Sequence, residues 1–170
     1  MKRIVKLTII LSLLAPVCRA QKIETVEEFK VFYDSIFYRL KPVEKDANSY
    51  IGKPFSEFVK LLGEHGLKIS QSGIQYDNRH EEVYGLSLYF STWEILIFKM
   101  KHDLREPIIY IDFTGGKSYE EGLRLTKKYE GYLKEEVEEF YSDAVIKSIV
   151  FSLPDPDKIY EPVRTKRSKK

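Results

Sequence analysis

The chain of 170 residues holds one cysteine, one tryptophan and three histidines. The cysteine, Cys18, falls within a leader-like start, so a chain cut after residue 20 has no disulfide, no thiolate nucleophile and no cysteine metal ligand. It also has no Asn-x-Ser/Thr sequon, because Asn48 is followed by Ser49-Tyr50 and Asn78 by Arg79-His80. Secreted eukaryotic domains usually carry disulfides or sequons, and lacking both points to a bacterial periplasm or surface. His65, His80 and His102 each lack another histidine three or four residues away, which excludes a helical metal pair. There is no Gly-x-Ser-x-Gly elbow and no Ser-x-x-Lys, which removes the common serine nucleophiles. No catalytic residue, metal or cofactor is therefore expected.

Long apolar runs are scarce as well. The longest, Leu7 to Val17, has 11 residues, against the roughly 20 that cross a bilayer core. It follows Lys2, Arg3 and Lys6 and precedes Cys18-Arg19-Ala20, which is the pattern of a signal peptide cleaved after Ala20. The expected location is periplasmic or secreted. Val17, Pro16 and Ala15 do not make the setting of a lipidated cysteine, so anchoring at Cys18 is not expected. The leader carries four basic residues and no acid, leaving 24 basic against 26 acidic residues and a net charge of −2. The basic balance of the whole chain thus gives no reason to expect a nucleic-acid partner.

What remains, 21–153, reads as one α+β domain. Thr25 to Leu40 carries Val26, Phe29, Phe32 or Tyr33, Ile36, Phe37 and Leu40 at helical spacing, begins with a Thr25–Glu28 capping box and is closed by Pro42. Pro54 to Leu62 forms a short second helix with Gly63 past its end. Four strands are expected from Leu67, Val83–Ser91, Trp93–Met100 and Pro107–Phe113, with connections short enough to demand antiparallel neighbours. Gly115-Gly116 breaks the sheet. One long helix then runs from Ser118 to Tyr141, with Leu123, Tyr129, Leu133, Val137 and Phe140 inward and Gly122 and Gly131 inside it, excused by close packing. Val145–Leu153, apolar on both faces, is a fifth and central strand. The expected fold is a single layer of helices on an antiparallel sheet, followed by a disordered basic tail over 154–170.

Few residues combine into chemistry. Phe113-Thr114-Gly115-Gly116-Lys117-Ser118 has the setting of a phosphate loop, but the glycine needed five places before Gly116 is Ile111, and a turn with a helix cap explains the residues. Asp112 lies beside that turn and could serve a hydrolase only if His80 or His102 converged on it. The acids of 135–139 read as a solvated helix face. The tyrosines are more telling, numbering 12. Tyr89 lies opposite the Leu86–Leu88 face of its strand, with Ser87 and Ser91 beside it, and Tyr119 and Tyr132 lie off the inward helix stripe. With Trp93 these are the candidate binding residues, since aromatic side chains anchor interfaces at low ordering cost.

Ile51-Gly52-Lys53-Pro54-Phe55-Ser56-Glu57-Phe58-Val59-Lys60-Leu61-Leu62-Gly63 resembles the second helix of exported BamE-like and β-lactamase-inhibitor-protein-like domains, with its preceding glycine and closing Leu-Gly. The resemblance covers about residues 25–113 and implies two helices, an antiparallel meander and binding through a sheet face and loops rather than catalysis. The long helix and fifth strand are additional to that unit. The expected function is an exported, non-enzymatic binding protein whose partner is an envelope or extracellular protein. A glycan or small ligand on the tyrosine-bearing face is the alternative, and the basic tail is available for weak contact with anionic surfaces.

Overall fold

The computed structural model describes residues 23–77 and 81–159. The chain forms an α+β domain with the order α1 (Val26–Asp46), α2 (Phe55–Glu64), β1 (Gln71–Asp77), β2 (Glu82–Tyr89), α3 (Trp93–Lys101), β3 (Ile108–Ser118), α4 (Tyr119–Lys128), α5 (Glu135–Tyr141) and β4 (Val145–Ser152). The four strands make one antiparallel sheet in sequential order. The expected leader and its cleavage point, and residues 160–170 of the expected tail, lie outside the described residues. Among the described residues no helix is long and apolar enough to cross a membrane.

Helix α1 opens on the expected capping box, with both reciprocal bonds between Thr25 and Glu28 formed. Its end departs from the sequence reading, because Pro42 lies inside the helix rather than closing it. A proline in a helix interior costs about 3 kcal/mol. Burial of Val43 and Ala47 beyond it, together with Leu40, offsets that cost, at roughly 1.5–3 kcal/mol for a fully buried aliphatic side chain. In α2, Pro54 is the N-cap and Gly63 lies within the helix. The stop comes at Gly66, with φ of 66°. Its N–H donates to the Gly63 carbonyl, and that of Leu67 to Leu62 (2.9 Å each), a Schellman closure whose hydrophobic clasp is Leu62 against Leu67.

Three further expectations are corrected. Trp93–Met100 is helix, not strand: Ile95 and Phe98, three apart, turn inward together beside Phe29. Gly115-Gly116 does not break the sheet, since β3 continues to Ser118 and pairs Lys117 with Val83 and Ser118 with Glu82. Glycine is required here. A Cβ on Gly116 would stand 2.4 Å from Glu82 Cβ, and Gly115 has φ of 81°. The single long helix is two, parted by a turn in which Gly131 takes φ of 80°. The buried positions of α4 are Gly122 and Leu125, rather than Leu123. Gly122 is the glycine that close packing does explain, with Tyr141 and Val83 pressed against it.

The strand Val145–Ser152 is the fourth, and lies at an edge rather than the centre. Its second apolar row includes the exposed Val150, so apolar character on both faces did not signal burial on both. The ordered chain also outruns the expected boundary at 153. Ile159 is fully buried beside Ile23, Phe29 and Leu104, and Tyr33 donates its hydroxyl to the Pro154 carbonyl.

Both flanks of the sheet meet backbone from elsewhere. Ser72 N–H donates to the Gly131 carbonyl (2.8 Å) and Leu133 N–H to Ser70 (3.1 Å), covering the start of β1. Gly52 N–H donates to Ile146, and Ile146 N–H to Lys53, which covers the start of β4. The core lies on one side. Leu86, Leu88, Ile109, Ile111, Phe113 and Ile146 face α1, α2, α4 and α5, and a smaller aromatic cluster around Phe29 joins α1 to α3.

Candidate functional site

Cross-strand partners share a face of the sheet, so the register defines what the other side carries. One row runs Gln71, Tyr89, Ile108, Ser152. The next runs Gly73, Ser87, Tyr110, Val150, and a third Gln75, Gly85, Asp112, Ser148. None of these side chains belongs to either apolar cluster. Tyr110 and Val150 stand exposed among small or hydrogen-bonding neighbours. Among the described residues no element packs over this hydroxyl-rich face, which has two tyrosines near its middle.

Four of its polar side chains are paired with one another. Ser148 donates to Asp112 Oδ2 (2.7 Å), and Gln75 Nε2 donates to Ser87 Oγ (3.3 Å). The ring of Tyr89 lies across Gly73, where a Cβ would meet Tyr89 Cε2 at 3.6 Å. The side chain is thus laid along the sheet instead of standing off it. Burial pushes the Tyr89 phenol up from its ordinary range. A hydrogen bond with Ser87 opposes the shift, while Tyr110 and Glu106 act with burial. Tyr89 is consequently a neutral hydroxyl across the physiological range, able both to donate and to accept.

The four expected binding residues do not form one surface. Tyr89 lies on the open face. Tyr132 lies next to it, bridging Gln71 from beyond the edge of β1, so the amide of Gln71 is flanked by a tyrosine on either side. The Nε2 of Gln71 is buried there without a hydrogen-bond partner. Tyr132 also lines a cleft of about 670 Å³ with Lys68, Ser70, Leu133, Lys134 and Glu138. Tyr119 is on the helix side, its ring tilted against that of Tyr76 with centroids 4.8 Å apart, and it packs against the core. Trp93 begins α3 and projects from it.

The hydrolytic arrangement does not assemble from what is described. Asp112 takes its hydrogen bond from Ser148, while the ring of His102 lies tilted against that of Phe98 with centroids 4.4 Å apart. His80 lies outside the described residues. Among the described residues no group of three His, Cys, Asp or Glu side chains could hold a metal ion.

Sequence reasoning missed two features. Tyr110, on a strand whose alternate residues are Ile109, Ile111 and Phe113, was legible by period alone as facing away from the core. Glu106 was not, since nothing local marks it. Buried at the β3 approach, it accepts from Ser91 Oγ and pairs with Lys99, tying the end of α3 to the sheet.

What the fold and this face define is an α+β domain with helices on one side of its sheet and a polar aromatic surface on the other. Compared with protein-family models, with curated proteins and with solved structures, the chain finds no match.

Proposed function

We propose that the protein is an exported, non-enzymatic binding module that meets an envelope or extracellular partner protein on the open face of its sheet. The observation that supports this most directly is the face itself: Tyr89 and Tyr110 lie among Ser87, Gln75, Asp112 and Ser148, and no described element packs over them. Tyrosines surrounded by small polar residues are the composition of protein-recognition surfaces. The resemblance of residues 51–63 to BamE-like and β-lactamase-inhibitor-protein-like domains, which bind through a sheet face and loops, adds support. The leader-like start of the chain supports export.

The test is crosslinking mass spectrometry of the protein in envelope extract of its host. The expected result is one partner crosslinked at β2 or β3, lost in a Tyr89→Ala/Tyr110→Ala variant that retains its fold. A partner retained by that variant would sink the assignment of the face. Export is checked separately by the N-terminal mass of protein recovered from a bacterial periplasm, where Gln21 should be the first residue.

A second reading, a glycan ligand, draws on the ring of Tyr89 lying along the sheet over Gly73, in the manner of a stacking platform. It predicts that envelope polysaccharide perturbs the Tyr89 and Tyr110 ring resonances in an NMR titration. Unchanged resonances at saturating polysaccharide would exclude it.

A further inference from the structure

Helix α3 is apolar on two sides, and among the described residues only one of them is packed against the rest of the domain. Its inward side, Ile95 and Phe98, packs against α1, with Phe98 stacked on Phe29 at 6.3 Å. Opposite, Trp93, Leu96, Ile97 and Met100 fall at positions i, i+3, i+4 and i+7, one stripe of a helix. Trp93 is 51% exposed, Ile97 36% and Met100 67%. A helix that is apolar all round normally has both sides covered.

The charges beside the stripe indicate what covers it. Glu94 and Lys101 are both exposed and seven residues apart, one at each end of the stripe. Seven steps of about 100° bring them to within about 20° of each other, on the same flank and roughly 10 Å apart along the axis. That is too far apart to pair within one helix. A twofold axis perpendicular to two antiparallel copies of α3 places each end of one helix against the opposite end of the other. The stripe then meets itself, and Glu94 meets the partner's Lys101 twice over. On the other flank Lys99 is already held by Glu106. We infer that α3 is a self-association surface, through which two copies of the chain pair antiparallel about a twofold axis. The inference is independent of the reading of the open sheet face, which lies on other residues. A nine-residue helix is about 14 Å long. It cannot by itself bury the roughly 1,600 Å² of a standard stable interface, so the pairing is of the weak, reversible kind.

Trp93 is the only tryptophan in the chain and lies within the stripe, which gives the test an optical signal. The purified protein is followed from about 1 μM to about 1 mM by sedimentation and by tryptophan emission. The expected result is a mass rising from that of one chain toward twice that value, with a blue shift and loss of quencher access in step. Met100→Glu should abolish both changes. Glu94→Lys or Lys101→Glu alone should weaken association on the order of tenfold, each disrupting two symmetric ion pairs, and the two together should restore it. That rescue cannot come from a merely misfolded variant. Tyr89→Ala/Tyr110→Ala should leave association unchanged, which separates this surface from the sheet face. A protein that stays monomeric at about 1 mM, a dimer that survives Met100→Glu, or charge swaps without rescue would overturn the inference. So would a blue shift seen only with phosphatidylglycerol vesicles while the protein remains monomeric, which would make the stripe a lipid contact.

Discussion

Three residues decide more than their size suggests. Glu106 is buried against Lys99 and Ser91, and removing one member of a buried pair leaves the other charged and unpartnered. Glu106→Ala should therefore lower stability by about 3–5 kcal/mol, read by denaturant unfolding, with Glu106→Gln less harmful because it retains the bond to Ser91. Glycine acts in opposite senses at two helical positions. A Cβ at Gly122 would come within 2.8 Å of Tyr141 Oη and 3.0 Å of Val83 Cγ2. Gly122→Ala should consequently cost about 1–3 kcal/mol. At Gly63, inside α2, a Cβ meets nothing within 4 Å. Gly63→Ala should stabilise by about 0.5–1 kcal/mol through helix propensity. Thermal unfolding of the pair should give opposite shifts of Tm. The reason for a glycine was partly legible beforehand, since close packing was expected at Gly122. At Gly131 it was not, because a left-handed turn and a tight helical contact look alike in sequence.

Among the elements, α1 and the α4–α5 pair carry the sharpest tests. Pro42 is solvent-exposed inside α1, so Pro42→Ala loses no packing and restores a helical N–H. It should raise stability by about 1–3 kcal/mol, visible as a higher denaturant midpoint at unchanged slope. Between α4 and α5, Lys128, Tyr129 and Arg124 all hydrogen-bond Glu136 and hold its carboxyl down at about 2. A carboxyl depressed in the folded state stabilises it above the unfolded value near 4.3, and that contribution is lost as pH falls toward about 2. Glu136→Gln should flatten the decline of stability with acid across that window, and high salt should do the same, because the network is open to solvent. Element type was legible where the period was clean, as in α1, α2, β2 and β3. It failed at α3, where Trp93–Met100 is so uniformly apolar that neither the strand nor the helix period stands out. It failed again after residue 128, where Glu130 and Gly131 both take positive φ and end α4 while the apolar spacing runs on.

At the scale of the molecule, the antiparallel character of the sheet was legible because short connections leave few topologies, but its order was not, since Trp93–Met100 was expected as a strand and Val145–Ser152 at the centre. The uncovered face was legible only in part. Tyr89 could be placed there by alternation, but Tyr132 joined its row through a bridge from a loop that no local pattern announces. Tyr119 was absorbed into the helix side by its contact with Tyr76. The backbone that lies along both margins of the sheet, 131–133 against β1 and 52–54 against β4, has a consequence for how the domain can be read by others. Hydrogen bonding along a strand is blind to sequence, and a free margin would let any extended peptide dock there. With those stretches occupied, strand addition is confined to the later part of each edge strand, and at the covered starts the choice of partner is left to side-chain chemistry rather than to the common language of the main chain.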